Sequence, residues 1–223
     1  MNIVVISLER ALNRREKIKS QLSALNIEAI IMDAVDGQKL IEEEKNKKIH
    51  LLNGYRFGET FKPGEIACTM SHIKAIEIAK KENWPYLIVL EDDIVLAEDF
   101  EKRIKLLLRI LASDWEHVYL SGVPKFKFGS FPLLSMCHVE PTIFTECTFS
   151  MLIRNTSYDK IINKLSKFET TTDDMYNDMI SKNELKSYTY YPFVTYSDDD
   201  YTYIWDLTVT RIHKSKQYFK NSI

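Results

Sequence analysis

WPYLIVLEDDIVL, residues 84–96, is the stretch from which the fold of this chain is read. Tyr86, Leu87, Ile88, Val89 and Leu90 would be apolar on both faces of an extended segment, which is how a central strand of a parallel sheet reads. Glu91, Asp92 and Asp93 follow with no neutral spacer. Adjacent carboxylates repel one another and are not buried without partners. They must therefore point into water or hold a cation. Open α/β sheets place their ligands beyond the carboxyl ends of their strands, which favours the cation. The competing reading, in which the acids only cap the loop and the next helix, stands level on spacing alone.

Outward from this strand, the pattern alternates. Residues 2–8, NIVVISL, form a β-branched run and predict a buried strand. Residues 9–26 carry Ile18, Leu22 and Leu25 at helical spacing, and 28–33, EAIIMD, predict a second strand closed by the turn signal Asp36-Gly37. Strand, helix and strand make a βαβ unit and so a parallel pair. Between 38 and 63 the pattern fades into a charged helical face and a loop at Gly54 and Gly58. This segment is either a cover over an active site or a plain surface excursion.

Residues 64–83 predict a helix with Ile66, Met70, Ile73 and Ile76 as its core stripe. Cys68 and His72 fall one turn apart on an adjacent face. As a metal pair they lack a third ligand in the sequence, so a half-buried histidine orienting its neighbours is preferred. An amphipathic helix over 98–113 and a strand over 117–120 follow. Residues 124–141, rich in Phe and Pro, would build an acceptor pocket or simply cover hydrophobic surface. Then come a strand over 147–153, a helix over 157–168, and a short helix opened by Thr170-Thr171-Thr172 and Asp173-Asp174 in an N-cap arrangement. Residues 186–194 are aromatic and extended, and Asp198, Asp199, Asp200 and His213 lie in the last stretch. About five strands alternating with helices predict an α/β fold with a mixed, mostly parallel central sheet flanked by helices.

At 223 residues, 45% hydrophobic and 28% charged, the chain has the makings of one domain, 1–223. A formal net charge of −2 argues against a nucleic-acid partner. No apolar run reaches membrane-spanning length. The opening MNIVVISLER reads as a first strand rather than a signal peptide. Cys68, Cys137 and Cys147 match no zinc spacing and suggest no disulfide framework, so the expected compartment is the cytoplasm. The basic tail is a weak candidate for peripheral contact with anionic lipid head groups.

An oxygen-only cluster such as Glu91-Asp92-Asp93 suits a hard cation, Mg²⁺ or Mn²⁺, with substrate phosphates completing its shell. Neither a GxxxxGK[ST] nor a GxGxxG nor a GxSxG pattern is present, which speaks against a P-loop NTPase, a dinucleotide dehydrogenase and a serine hydrolase. With no glycine-rich cradle, a metal bridge is the economical way to hold a diphosphate.

VISLERALNRRE at 5–16, DAVDG at 33–37, GEIACTMSH at 64–72 and PYLIVLEDDIVL at 85–96, in that order, resemble the family 25 glycosyltransferases. These are the lipooligosaccharide galactosyltransferases of Gram-negative bacteria and the related collagen galactosyltransferase domains. CTFSMLIR at 147–154 and TTTDDM at 170–175 resemble the family more loosely. The resemblance implies a GT-A-like nucleotide-sugar-binding fold, a UDP-sugar donor (usually UDP-galactose), a divalent cation and inverting transfer to a lipid-linked or free oligosaccharide. It implies a donor half over 1–122 and an acceptor-side half over 123–223. Asp93 matches a direct metal ligand, with Glu91 as a second ligand nearer the ribose or a metal-bound water. Ser7, Leu8, Arg10, Arg14, Asp33, Val35, His72 and Asp92 match the donor side, Arg14 towards the diphosphate. An inverting transfer needs a base on the acceptor hydroxyl. Asp173 matches the family's downstream aspartate, with Asp174 beside it; N-capping is the alternative role for both. Thr and Cys stand where the family often has Pro and Gly before these two later segments. A metal-dependent phosphohydrolase and a non-catalytic sugar- or ion-binding module remain as rivals.

Overall fold

The computed structural model describes residues 1–45, 55–56, 59–60, 62–121, 123–124 and 137–197. Ile3–Ser7 forms β1, Leu12–Ala24 α1, Ile30–Asp33 β2 and Gly37–Lys45 α2. A two-stranded pair follows, β3 Tyr55–Arg56 and β4 Glu59–Thr60, and then the long helix α3, Pro63–Lys81. Next come β5 Tyr86–Glu91, β6 Ile94–Leu96, α4 Phe100–Ile110, β7 His117–Tyr119 and β8 Val123–Pro124. The chain continues through β9 His138–Pro141, β10 Thr145–Glu146, β11 Ser150–Arg154, α5 Tyr158–Leu165 and α6 Thr172–Ser181. The last of the described elements are β12 Ser187–Tyr191 and β13 Thr195–Ser197.

Seven strands make the central sheet in the order β2-β1-β5-β11-β7-β12-β9. β2, β1 and β5 pair in parallel, as do β7 and β12; β11 and β9 run against their neighbours. The sheet is therefore mixed and mostly parallel, as the alternation of elements implies. The period of two sends Leu87 and Val89 of β5 to one face and Ile88 and Leu90 to the other, all four fully buried. On the Ile88 face pack Ile18 and Leu22 of α1 with Phe100, Ile104 and Leu107 of α4. On the Leu87 face pack Ala75, Ile76 and Ala79 of α3 with residues of α5 and α6. Each such aliphatic side chain contributes about 1.5–3 kcal/mol by leaving water. β5 is apolar on both sides because helices cover both sides.

Four local readings change. The acidic triplet interrupts the stretch at 84–96, so Ile94–Leu96 is a separate strand, paired with β13. Asp36-Gly37 starts α2 instead of closing a turn, and the Asp36 carboxylate accepts the Gln38 N–H at 2.9 Å. The strand expected over 147–153 begins only at Ser150, because Cys147 has φ 70°, a left-handed conformation that no strand continues through. His72 is fully buried rather than half-buried, since α3 is covered by the sheet on one side and by α2, α5 and α6 around it. Gly54, Gly58, Asp198, Asp199, Asp200, His213 and most of the 124–141 loop lie outside the described residues. Among the described residues no helix is long and apolar enough to cross a membrane.

Candidate active site

Parallel pairing of β1 and β5 sets Ile6 opposite Glu91, which brings Ser7 to Asp92 just past the end of β5. The Ser7 hydroxyl donates to Asp92 Oδ2 at 2.7 Å. Arg14, in the first turn of α1, reaches the same corner, its Nη1 3.3 Å from Asp92 Oδ1 and 3.4 Å from Asp93 Oδ2. Asp93 Oδ1 is buried with no hydrogen-bond partner among the described residues. Burial, reinforced by the charges of Glu91 and Asp92 against the pull of Arg14, pushes the Asp93 carboxyl up to about 7. Burial also raises Asp92, against the Ser7 bond and Arg14. Positive charge is short here, and a carboxylate oxygen stands unused. A divalent cation would fit that deficit, with Asp93 offering an oxygen ligand.

Glu91 turns the other way. Its Oε1 lies 3.1 Å from His72 Nε2 and accepts the Thr148 hydroxyl at 3.3 Å. Cys68, one turn before His72 on α3, completes a group whose ligand atoms all lie within 4.8 Å of one another. Cys68, His72 and Glu91 could together hold a metal ion, so the third donor that the sequence did not reveal comes from β5. Burial first, then the negative charge of Glu91, Asp173 and Asp93, holds the Cys68 thiol well above its usual range.

These groups open onto one cavity of about 290 Å³. Leu8, Arg10, Arg14, Val35, His72, Glu91, Asp92 and Asp93 all line it, as do Cys68 and the wall residues Gly37 and Gly64. Ser7 and Asp33 are not among the lining residues. Ser7 is buried behind Asp92, and Asp33 is tied to Arg15, whose Nη2 donates to Asp33 Oδ1 at 2.7 Å and to the Ser7 carbonyl at 2.8 Å. Arg10 pairs with Asp36 at 2.8 Å. The Ser71 hydroxyl accepts the Val35 N–H at 2.8 Å, which fixes the cavity wall at β2's end.

Asp173 sits in the first turn of α6. Its Oδ1 accepts the Thr171 hydroxyl at 2.6 Å and the Asp174 N–H at 3.1 Å, and its Oδ2 accepts the Cys147 N–H at 3.4 Å. Thr171 stands at the N-cap position but makes no side-chain cap bond, so its hydroxyl orients Asp173 instead. Asp174 accepts the Thr170 hydroxyl at 3.3 Å. Neither aspartate lines that cavity. A link between the two regions runs through Thr172, whose hydroxyl is 2.8 Å from that of Thr69 and donates to Cys68 Sγ at 3.8 Å. Sequence reading missed Arg15, Ser71 and Thr148. The first has a faint signal in the Arg14-Arg15 doublet; the other two have none, because their roles depend on register and helix packing.

A family model described as glycosyltransferase family 25 (LPS biosynthesis protein) matches residues 1–173. The probable inactive glycosyltransferase 25 family member 3 of Rattus norvegicus is 33% identical over 125 residues, covering 53% of this chain and 22% of that protein. Procollagen galactosyltransferase 2 of Homo sapiens is 31% identical over 125 residues, 53% of this chain and 20% of its own. The chain thus spans about a fifth of the length of these relatives. A solved glycosyltransferase involved in the glycosylation of the major capsid of PBCV-1 aligns over 86% of this chain and 83% of its own, with TM-score 0.45 and 12% identity.

Proposed function

The chain belongs to glycosyltransferase family 25, and on that premise we propose that it moves a hexose from a UDP-sugar to an oligosaccharide by metal-assisted, inverting transfer. Galactose is the favoured sugar, and a lipooligosaccharide the favoured acceptor, at the cytoplasmic face of the inner membrane. The observation that carries the reading is the carboxylate corner of the cavity: Asp92 and Asp93 against the Arg14 side chain, with Asp93 Oδ1 buried and without a hydrogen-bond partner among the described residues.

Arg10 and Arg14 line the cavity with donors suited to a diphosphate. Leu8 and Val35 offer apolar wall for the nucleoside, and Asp92, anchored by Ser7, fixes the Arg14 guanidinium. A Mg²⁺ or Mn²⁺ on Asp93 and Glu91 would neutralise charge developing on the leaving diphosphate. Asp173, or Asp174 beside it, takes the proton from the acceptor hydroxyl. The freed oxygen attacks the anomeric carbon from the face opposite the leaving group, and the bond to the diphosphate breaks. In this reading residues 1–122 hold the donor and 123–223 face the acceptor.

Screening UDP-sugars for hydrolysis, transfer and thermal stabilisation, with and without Mn²⁺, tests it. One sugar should stabilise the protein only with the metal, and Asp93→Ala should abolish that response and the transfer. Full activity after removal of all divalent metal sinks the metal assignment. The relatives named as inactive favour one second reading, a donor-binding module. It predicts metal-dependent UDP-sugar binding with no turnover of any acceptor.

A further inference from the structure

Two different ligand sets in this cavity share one carboxylate. Glu91 is read above as a ligand together with Asp93, two positions along, and its carboxylate also stands with Cys68 and His72, the ligand atoms of these three lying within 4.8 Å of one another. The first set is oxygen alone. The second mixes sulfur, nitrogen and oxygen, the donor types preferred by borderline cations such as Zn²⁺ and Co²⁺ rather than by Mg²⁺ or Mn²⁺.

The second set has the marks of a built site. Cys68 and His72 project one turn apart from α3, and α3 is fixed to α6 by the bond between the Thr69 and Thr172 hydroxyls. The His72 ring is fully buried, with Nε2 turned to Glu91 and Nδ1 without a partner among the described residues. Thr148 approaches from the far side, its hydroxyl 3.4 Å from His72 Nε2 and 3.3 Å from Glu91 Oε1. All three ligand residues line the cavity of about 290 Å³, which gives an ion a way in. Three protein donors leave the fourth tetrahedral position to water or substrate.

We propose that Cys68, His72 and Glu91 form an inhibitory site for a borderline divalent cation such as Zn²⁺, and that its occupation takes Glu91 away from the catalytic cation. The inference rests on the reading of Glu91 and Asp93 as the catalytic pair, although binding at the sulfur-containing set does not. On coordination the Cys68 thiol gives its proton to solvent. The two sites compete for Glu91, because an ion between Cys68 and His72 holds its Oε1 on the α3 side of the cavity, where it already lies 3.1 Å from His72 Nε2. The identity of the cation then decides whether the cavity is competent.

The protein with Co²⁺ in place of zinc reads the first half without any transfer assay. The wild type should show a thiolate-to-cobalt charge-transfer band that Cys68→Ser removes and Asp93→Asn keeps. Zinc affinity should fall in Cys68→Ser by more than the roughly 10–100-fold that losing an outer partner of a ligand costs. In the wild type, zinc should protect Cys68, and neither Cys137 nor Cys147, from alkylation, a readout that needs no variant to fold. The second half is read by Mn²⁺ electron paramagnetic resonance: zinc should release protein-bound Mn²⁺ from the wild type and not from Cys68→Ser. A cobalt band that is absent, or that survives Cys68→Ser, overturns the site. A wild type that holds both ions at once overturns the competition. Mn²⁺ that never binds, with the cobalt band intact, refutes the catalytic pair and leaves the sulfur site standing.

Discussion

Ser7 and Asp92, 85 positions apart, are joined at 2.7 Å across the parallel strands β1 and β5, and this bond holds the middle acid of the triplet inside the protein. Both residues are buried. The carboxyl of Asp92 is already raised by burial, and the Ser7 hydroxyl is the largest influence acting against that. Ser7→Ala should therefore cost about 1–3 kcal/mol, the penalty for stripping a buried polar group of a partner. Urea unfolding should show a lower midpoint at unchanged slope, and Arg14 should bind a diphosphate less well.

Gly37 lies at the start of α2, hard against the start of α3. A Cβ there would stand 2.8 Å from the Gly64 nitrogen and 2.9 Å from the Pro63 carbonyl carbon, both backbone atoms that cannot rotate away. Gly37→Ala must push α2 off α3 and so deform the wall of the cavity that Gly37 and Gly64 line. The expected loss is about 1–3 kcal/mol in stability, typical of overpacking, together with weaker UDP-sugar binding in calorimetry. An unchanged melting temperature and affinity would show that α2 yields freely.

Asp173→Asn should spare binding of the UDP-sugar while lowering transfer by about 10²–10⁴-fold, the usual contribution of a positioned base. The amide oxygen can still accept the Thr171 hydroxyl, but the amide nitrogen neither accepts the Cys147 N–H nor takes a proton. Steady-state kinetics with calorimetric donor binding separates the two effects. If Asp174→Asn causes the loss and Asp173→Asn does not, the base is the next residue along.

His117 gives the protein an acid limit unrelated to the cavity. Its ring is fully buried between Tyr119 and Tyr176, Nδ1 is 2.9 Å from the Ser187 hydroxyl, and burial lowers its pKa from 6.5 to about 3. The unfolded chain takes up a proton below pH 6.5 that the folded chain refuses until about pH 3. Stability from this group is therefore whole above 6.5 and falls with pH through that window, by about 1.4 kcal/mol per unit at most. Denaturation at a series of pH values should show the slope, and His117→Gln should flatten it.

The unbroken apolar run of β5 was readable because a strand covered by helices on both faces must be apolar at every position, and that is a local property. The stripe Phe100, Ile104 and Leu107 on α4 is local in the same way, and so is the step from Leu90 into three acids. From these the sequence by itself determined the α/β class, the central strand, and an acidic cluster at its end. What it could not contain is which way each acid turns. Asp92 faces inward because register sets Ser7 beside it, and Glu91 faces Cys68 and His72 because α3 packs across β5. Cys147 leaves the expected strand because its N–H is needed at Asp173 across the chain. Such pairings join residues tens of positions apart, and their energies depend on sheet register and helix packing rather than on the spacing of neighbours. The acidic cluster was written in the chain; that Glu91 lies with Cys68 and His72 was decided only by the tertiary structure.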